Sequence, residues 1–269
     1  MIKGWTGAAL NTAPDSQNEI HGDEIAQQFG FKGGLVPGVT ISAYLIQPAI
    51  EAWGLEWLQH GHAHVRVASP LYDGETFSVD VNCGGNREYQ AELIRPDGTI
   101  CATADVILPT HLPAAPVRRG DAIADKHHVG AEASPERFAE LQRQGCLAYR
   151  YRWGSDHRMS AYIEDASAMP GLLRTDGGGY ANMSFLLGIS NWVFASNAHM
   201  NPWVHLETTS QNYRAVADGT VVIAEMSVED YFEKKGHQFA DVLVNLFDEA
   251  NDEALCSIQL RAIYKLRGT

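Results

Sequence analysis

The chain has 269 residues, of which 45% are hydrophobic and 20% charged, and its formal net charge is −13. That balance suits a soluble globular protein of one large or two ordinary domains, and its negative field disfavours nucleic acid and anionic membranes as partners. Four cysteines lie far apart with no Cys-x-x-Cys pair, which argues against a zinc knuckle or a dithiol redox site.

The N-terminal MIKGWTGAAL is too short and polar for a secretory signal, so a reducing cytoplasm is the expected compartment. Residues 2–9 predict a short strand, and residues 11–19 are turn-rich. Gly22 to Gln28 predicts a short helix with Asp23 and Glu24 in its first turn, where the helix dipole favours them. A loop through Gly30, Gly33 and Gly34 leads to Pro37-Gly38. VTISAYLIQPAIEAWGLEWL then sets Ile41, Leu45, Pro48, Ala49, Ala52 and Trp53 at three- and four-residue spacing, the mark of a helix. Gln47 and Glu51 form a narrow polar stripe on it, and Pro48 is expected to kink it or cost it one backbone bond.

The period then changes to two. Residues 65–70, 75–83, 87–94 and 99–108 predict four strands, separated by turns such as Asp73-Gly74 and Pro96-Asp97-Gly98. Cys101 is expected to be a small core residue of the last of them, and Cys256 likewise near the end of the chain. Residues 113–145 read as a linker ending in a short helix, capped by Ser134 with Pro135 at its first position. Arg118 and Arg119 offer a local basic patch for a phosphorylated ligand.

The second half repeats the first. Residues 146–153 predict a strand, Asp176 with the three glycines after it a capped loop, and the uncharged stretch 180–197 a helix enclosed by protein rather than a membrane span. Four further strand-like runs follow. LYDGETFSVDV (71–81) is echoed by VADGTVVIAEM (216–226), and DGTICATADVIL (97–108) by DEALCSIQLRAI (252–263). A repeat one domain long argues for an internally duplicated fold. The expected class is α+β, a tandem or double hotdog in which each half curls an antiparallel sheet around a long central helix. The halves would be 1–112, carrying the active-site loop, and 146–269, joined by linker 113–145.

The stretch NEIHGDEIAQQFGFKGGLVPGV (18–39) resembles the hydratase motif of MaoC-like hotdog proteins, the (R)-specific enoyl-CoA hydratases and dehydratases. Asn18, Ile20 and His21 match the family's Asp-x-Asn-Pro-x-His, while Asp23, Ala26, Gly30, Phe31 and Gly38 fit its continuation. The family's catalytic aspartate falls on Ser16, with Asp15 one residue off register, and Glu19 stands in place of its proline. The resemblance implies a lyase acting on an acyl thioester of CoA or a carrier protein.

The residues support that chemistry independently. Hydration of an enoyl thioester needs a base for water, a proton donor for the α-carbon and donors for the carbonyl oxygen. His21 titrates near neutrality, Asp15 and Asp23 are its candidate partners, and Gly38 opens a helix whose free N–H groups favour an oxyanion. Asn18, Phe31, Val36, Ile41, Tyr44 and Leu45 are the expected substrate contacts. The residues alone leave open that His21 merely bonds within its loop and that Gly38 merely starts the helix. A hotdog thioesterase, or a non-catalytic acyl-binding member, is the alternative.

No cofactor or metal is expected, and the chain is a candidate homo-oligomer. His60, His62 and His64 alternate, but lack an acidic partner nearby in sequence. NPWVH (201–205) has the spacing of Asn-Pro-x-His, yet follows the second helix instead of preceding it, and reads as coincidence.

Overall fold

A computed structural model describes residues 2–125 and 127–267. Strand β1 (Trp5–Ala8) is followed by a turn-rich loop, a short helix α1 (Asp23–Gln28) and the long helix α2 (Gly38–His60). Strands β2 (His62–Val67), β3 (Thr76–Cys83), β4 (Glu88–Ile94) and β5 (Ile100–Ile107) complete the first half. Helix α3 (Pro135–Gln144) begins as expected, with the Ser134 hydroxyl accepting from Arg137 N–H at 3.1 Å. Strand β6 (Tyr149–Arg152), helix α4 (Met183–Asn197) and strands β7 (Val204–Asn212), β8 (Val221–Lys234), β9 (His237–Asp248) and β10 (Ala254–Lys265) form the second half.

All ten strands make one antiparallel sheet in the order β1, β3, β4, β5, β2, β7, β10, β9, β8, β6. Read outward from the β2–β7 pair, the two halves have the same order, which is the structural form of the sequence repeat. The echoing Asp-Gly turns at Gly74 (φ +69°) and Gly219 (φ +84°) sit just ahead of β3 and β8, in a left-handed conformation that glycine adopts without strain. Cys101 and Cys256 occupy β5 and β10 and are both buried, and burial pushes the Cys256 thiol up to about 12.

Helix α2 packs on β2, β4, β5 and β7 and against α4, which in turn packs on β8 and β10. Neither helix shows a polar face over most of its length, because each is enclosed by sheet, neighbouring helix and loops. Pro48 removes the N–H that would bond the Tyr44 carbonyl, and the Trp5 indole N–H bonds that carbonyl instead at 3.0 Å. The helical geometry breaks at Gly54 (φ +57°, ψ −134°), not at the proline, since glycine tolerates the departure. No helix among the described residues is long and apolar enough to cross a membrane.

Two expectations change. The N-cap of α4 is Asn182, whose side chain accepts from Phe185 N–H at 3.0 Å, while Asp176 is an exposed turn residue beside Arg174. Arg118 and Arg119 do not form an open basic patch. They flank the buried carboxylate of Glu225, which accepts from the backbone N–H groups of Arg119, Gly120 and Asp121 at 2.7–3.0 Å and so fastens the linker to β8.

Candidate active site

The loop before α2 is built to hold one imidazole. The turn-rich part of it ahead of α1 ends in a short 3-10 helix, Glu19–His21. The Asn18 side-chain amide exchanges two hydrogen bonds with the backbone of Trp203, at 3.0 and 3.1 Å. Glu19 does the same with Asn201: its N–H donates to Asn201 Oδ1, and its carboxylate accepts from Asn201 Nδ2. These four bonds dock the first half's loop onto the segment between α4 and β7. Gly34 lies so close to the His21 carbonyl that a Cβ there would come within 2.1 Å of its oxygen, so only glycine fits.

His21 Nδ1 donates to the Leu35 carbonyl at 2.7 Å. In the neutral ring that leaves Nε2 unprotonated, with the Asn18 amide 3.4 Å away. Burial lowers the His21 pKa, and the Leu35 bond only partly opposes this, so the ring is neutral at pH 7. Neither Asp15 nor Asp23 hydrogen-bonds His21, and the orienting partner is a backbone carbonyl. Asp23 is exposed and accepts from Gly34 N–H at 2.7 Å, a bond that shapes the loop.

His21 lines a cavity of about 1120 Å³, slightly above the roughly 300–1,000 Å³ usual for small-molecule sites. Asp15, Ser16 and Asn18 share its wall with Pro37 and Val39 at the start of α2, and Gly188, Asn191, Trp192 and Ala195 of α4 face them. No side chain caps α2, whose N-cap is Pro37, so the first N–H groups of the helix have no intrahelical acceptor. Gly38 is the first residue of the helix, beneath the cavity wall.

The other expected contacts lie elsewhere. Phe31 packs with Ile20, Ala26 and Leu35 in a small cluster of its own. Val36, Ile41, Tyr44 and Leu45 belong to the main core. The Tyr44 ring stacks on Phe77 at 4.5 Å and its hydroxyl accepts from Leu10 N–H. The cavity runs along α4, not along this face of α2.

The structure also brings in residues that the sequence did not single out as functional. His205 is 7% exposed and sits against Gly38, where a Cβ would lie 2.7 Å from its ring. Its Nδ1 meets Asn191 Oδ1 at 3.1 Å, and its Nε2 is in close contact with the Thr208 hydroxyl. Burial, reinforced by nearby His21, pushes its pKa down to about 3, so it is a neutral ring. NPWVH is therefore part of the site: Asn201 and Trp203 clasp the loop, and His205 abuts the helix start. The sequence signal was present, but its partner is 180 residues away.

The segment ahead of α4 stands in the second half where the His21 loop stands in the first. Tyr162, fully buried, donates its hydroxyl to Gln47 Oε1 at 2.8 Å, and Gln47 Nε2 donates to the Ala168 carbonyl at 2.8 Å. His62 and His64 lie on β2, where His64 bonds Glu207 at 2.6 Å, and the described residues contain no cluster suited to a metal ion.

No protein-family model matches the chain, and no curated protein sequence matches it. Its fold is similar to several solved structures. A conserved hypothetical protein of Mycobacterium tuberculosis with a double hotdog fold aligns over 98% of this chain and 96% of its own, at 11% identity and a TM-score of 0.57. The tesB protein of Mycobacterium avium subsp. paratuberculosis aligns over 99% and 94%, at 11% identity and 0.56. A MaoC-like dehydratase aligns over 97% and 98%, at 11% identity and 0.50. With its duplicated strand order and its two buried helices packed on one continuous sheet, the chain is a double hotdog protein, of the same fold as a MaoC-like dehydratase.

Proposed function

We propose that the protein is a hydratase or dehydratase acting on an acyl thioester of the enoyl-CoA type, with His21 as its acid and base. The observation that carries this is the state of His21: Nδ1–H is tied to the Leu35 carbonyl, and a basic Nε2 is available in a large cavity beside an uncapped helix start. In hydration, Nε2 takes a proton from water as the water oxygen bonds the β-carbon. The resulting imidazolium returns a proton to the α-carbon, and the negative charge on the thioester oxygen between these steps is met by the first N–H groups of α2. Dehydration is the reverse. The apolar wall of Met159, Trp192, Ala195 and Met200 suits an acyl chain.

Thioester hydrolysis is the second reading, and Asp15 on the same wall favours it, because a carboxylate can activate water toward the carbonyl carbon itself. Incubation of the protein and a His21→Ala variant with 2-enoyl-CoA and saturated acyl-CoA substrates separates the two. Loss of the enoyl chromophore without thiol release, abolished in the variant, is the expected result. Release of free thiol supports the esterase, and equal behaviour of both proteins removes His21 from the chemistry.

A further inference from the structure

Strand β7 carries an irregularity where it meets the site. Its pairing with β10 runs Arg261 to Glu207 and then Ala262 to His205, so Leu206 is an extra residue, a β-bulge. In a regular strand, residues three apart face opposite ways. The bulge instead turns His205 and Thr208 to the same buried face, with Leu206 and Glu207 left less buried between them. That is what lets the Thr208 hydroxyl reach the ring of His205.

The polarity of this contact follows from the far end. Asn191 Oδ1 can only accept, so His205 Nδ1 must carry the proton. Nε2 of the neutral ring is then an acceptor, and Thr208 donates to it. Donation thus runs in one direction, from the Thr208 hydroxyl to His205 and from His205 to the Asn191 carbonyl oxygen. With Oδ1 held this way, the Nδ2 amino group of Asn191 is the end of the amide left for the cavity that Asn191 and His21 both line. Each donor in such a chain is polarised by the one before it. His205 is kept in place by Gly38, which alone leaves space for the ring.

We propose that Asn191 is the substrate-carbonyl donor of this cavity, contributed by the second half of the chain, and that His205 and Thr208 are positioning residues that fix its amide with the N–H side facing the ligand. The inference rests on the acyl-thioester reading and adds a side-chain donor to the thioester oxygen beside the first N–H groups of α2. One half therefore supplies the base and the other a neutral donor. A carbonyl compound is favoured over a carboxylate, because the chain ends in an uncharged amide.

The test uses two unreactive CoA derivatives, an S-alkyl thioether lacking a carbonyl and the matching S-(2-oxoalkyl) ketone, with binding measured by calorimetry. Asn191→Ala and the isosteric Asn191→Asp should weaken the ketone by about tenfold or more while leaving the thioether nearly unchanged, the signature of one lost hydrogen bond. Thr208→Val should weaken the ketone by a smaller factor with the same selectivity, and should add nothing to Asn191→Ala in the double variant. Retained thioether binding shows that each variant is folded. Equal weakening of both compounds, no weakening of either, or additivity of Thr208→Val with Asn191→Ala overturns the proposal alone. Failure of the unaltered protein to bind either compound overturns the acyl-thioester reading and the proposal with it.

Discussion

The ring of His205 lies directly against Gly38, so that the start of one half's central helix and a strand of the other half meet with no room for a methyl group. A Cβ at position 38 would come within 2.7 Å of His205 Cδ2 and 3.0 Å of Cγ. Gly38→Ala must therefore displace the ring or the helix start. The expected cost is about 1–3 kcal/mol, typical of overpacking a filled site. Denaturant unfolding reads it, and loss of turnover beyond the loss of stability would show that the displaced ring matters to the site.

Stability should also depend on pH through the same ring. His205 has a native pKa of about 3 against an ordinary value of 6.5. The unfolded chain therefore binds the proton first as the pH falls. The stability associated with the neutral ring is complete above pH 6.5 and is lost on acidification toward pH 3, at about 1.4 kcal/mol per pH unit for one proton. Unfolding midpoints measured from pH 7 to pH 4 should show this slope, and His205→Gln should flatten it by one proton's worth.

His21 governs a different observable. Because burial lowers its pKa, it stays a base below the ordinary imidazole range, and the acid limb of kcat/KM, which reports the free protein, should lie below pH 6.5. His21→Ala should reduce turnover by about 10²- to 10⁴-fold, the usual worth of a positioned acid-base group. An acid limb at or above the ordinary value would point to another group.

Glu225 tests how the linker is held. Its buried carboxylate accepts three backbone N–H bonds from residues 119–121, just before Ile123, Ala124 and Asp125 reach the cavity wall. Glu225→Ala strands those donors and should cost about 3 kcal/mol or more. Glu225→Gln keeps one acceptor oxygen and should fall between. Faster proteolysis of residues 113–130 in the alanine variant is the accompanying readout.

Much of the architecture was legible in the sequence because it is written in local patterns. The apolar spacing of Ile41, Leu45 and Ala49, the Ser134-Pro135 helix start and the two Asp-Gly turns each specify their element within a few residues. His21 and the opening of α2 could be named as candidates for the same reason, since both lie in one continuous motif. Asn191, His205 and Thr208 were not, because they come near the His21 loop only through the packing of α4 on α2, the pairing of β2 with β7 and a one-residue bulge at Leu206, which no short stretch encodes. Asn191 left one trace, a polar amide in a helix without charges. Asp23 shows the opposite: three residues from Ile20 in sequence, it turns outward to Gly34 and away from the ring it was expected to assist.

The buried hydrogen bond from Tyr162 to Gln47 bears on how a duplicated protein divides its labour. A pair of identical subunits must carry every substitution twice, so a residue that fills one cavity fills both. Two halves on one chain are released from that constraint. Here the hollow bordered by His21 draws its wall from both halves, whereas the segment ahead of α4 buries the Tyr162 hydroxyl against Gln47 of α2. The two loops ahead of the central helices thus do different things: one borders an open hollow, and the other is given over to cohesion.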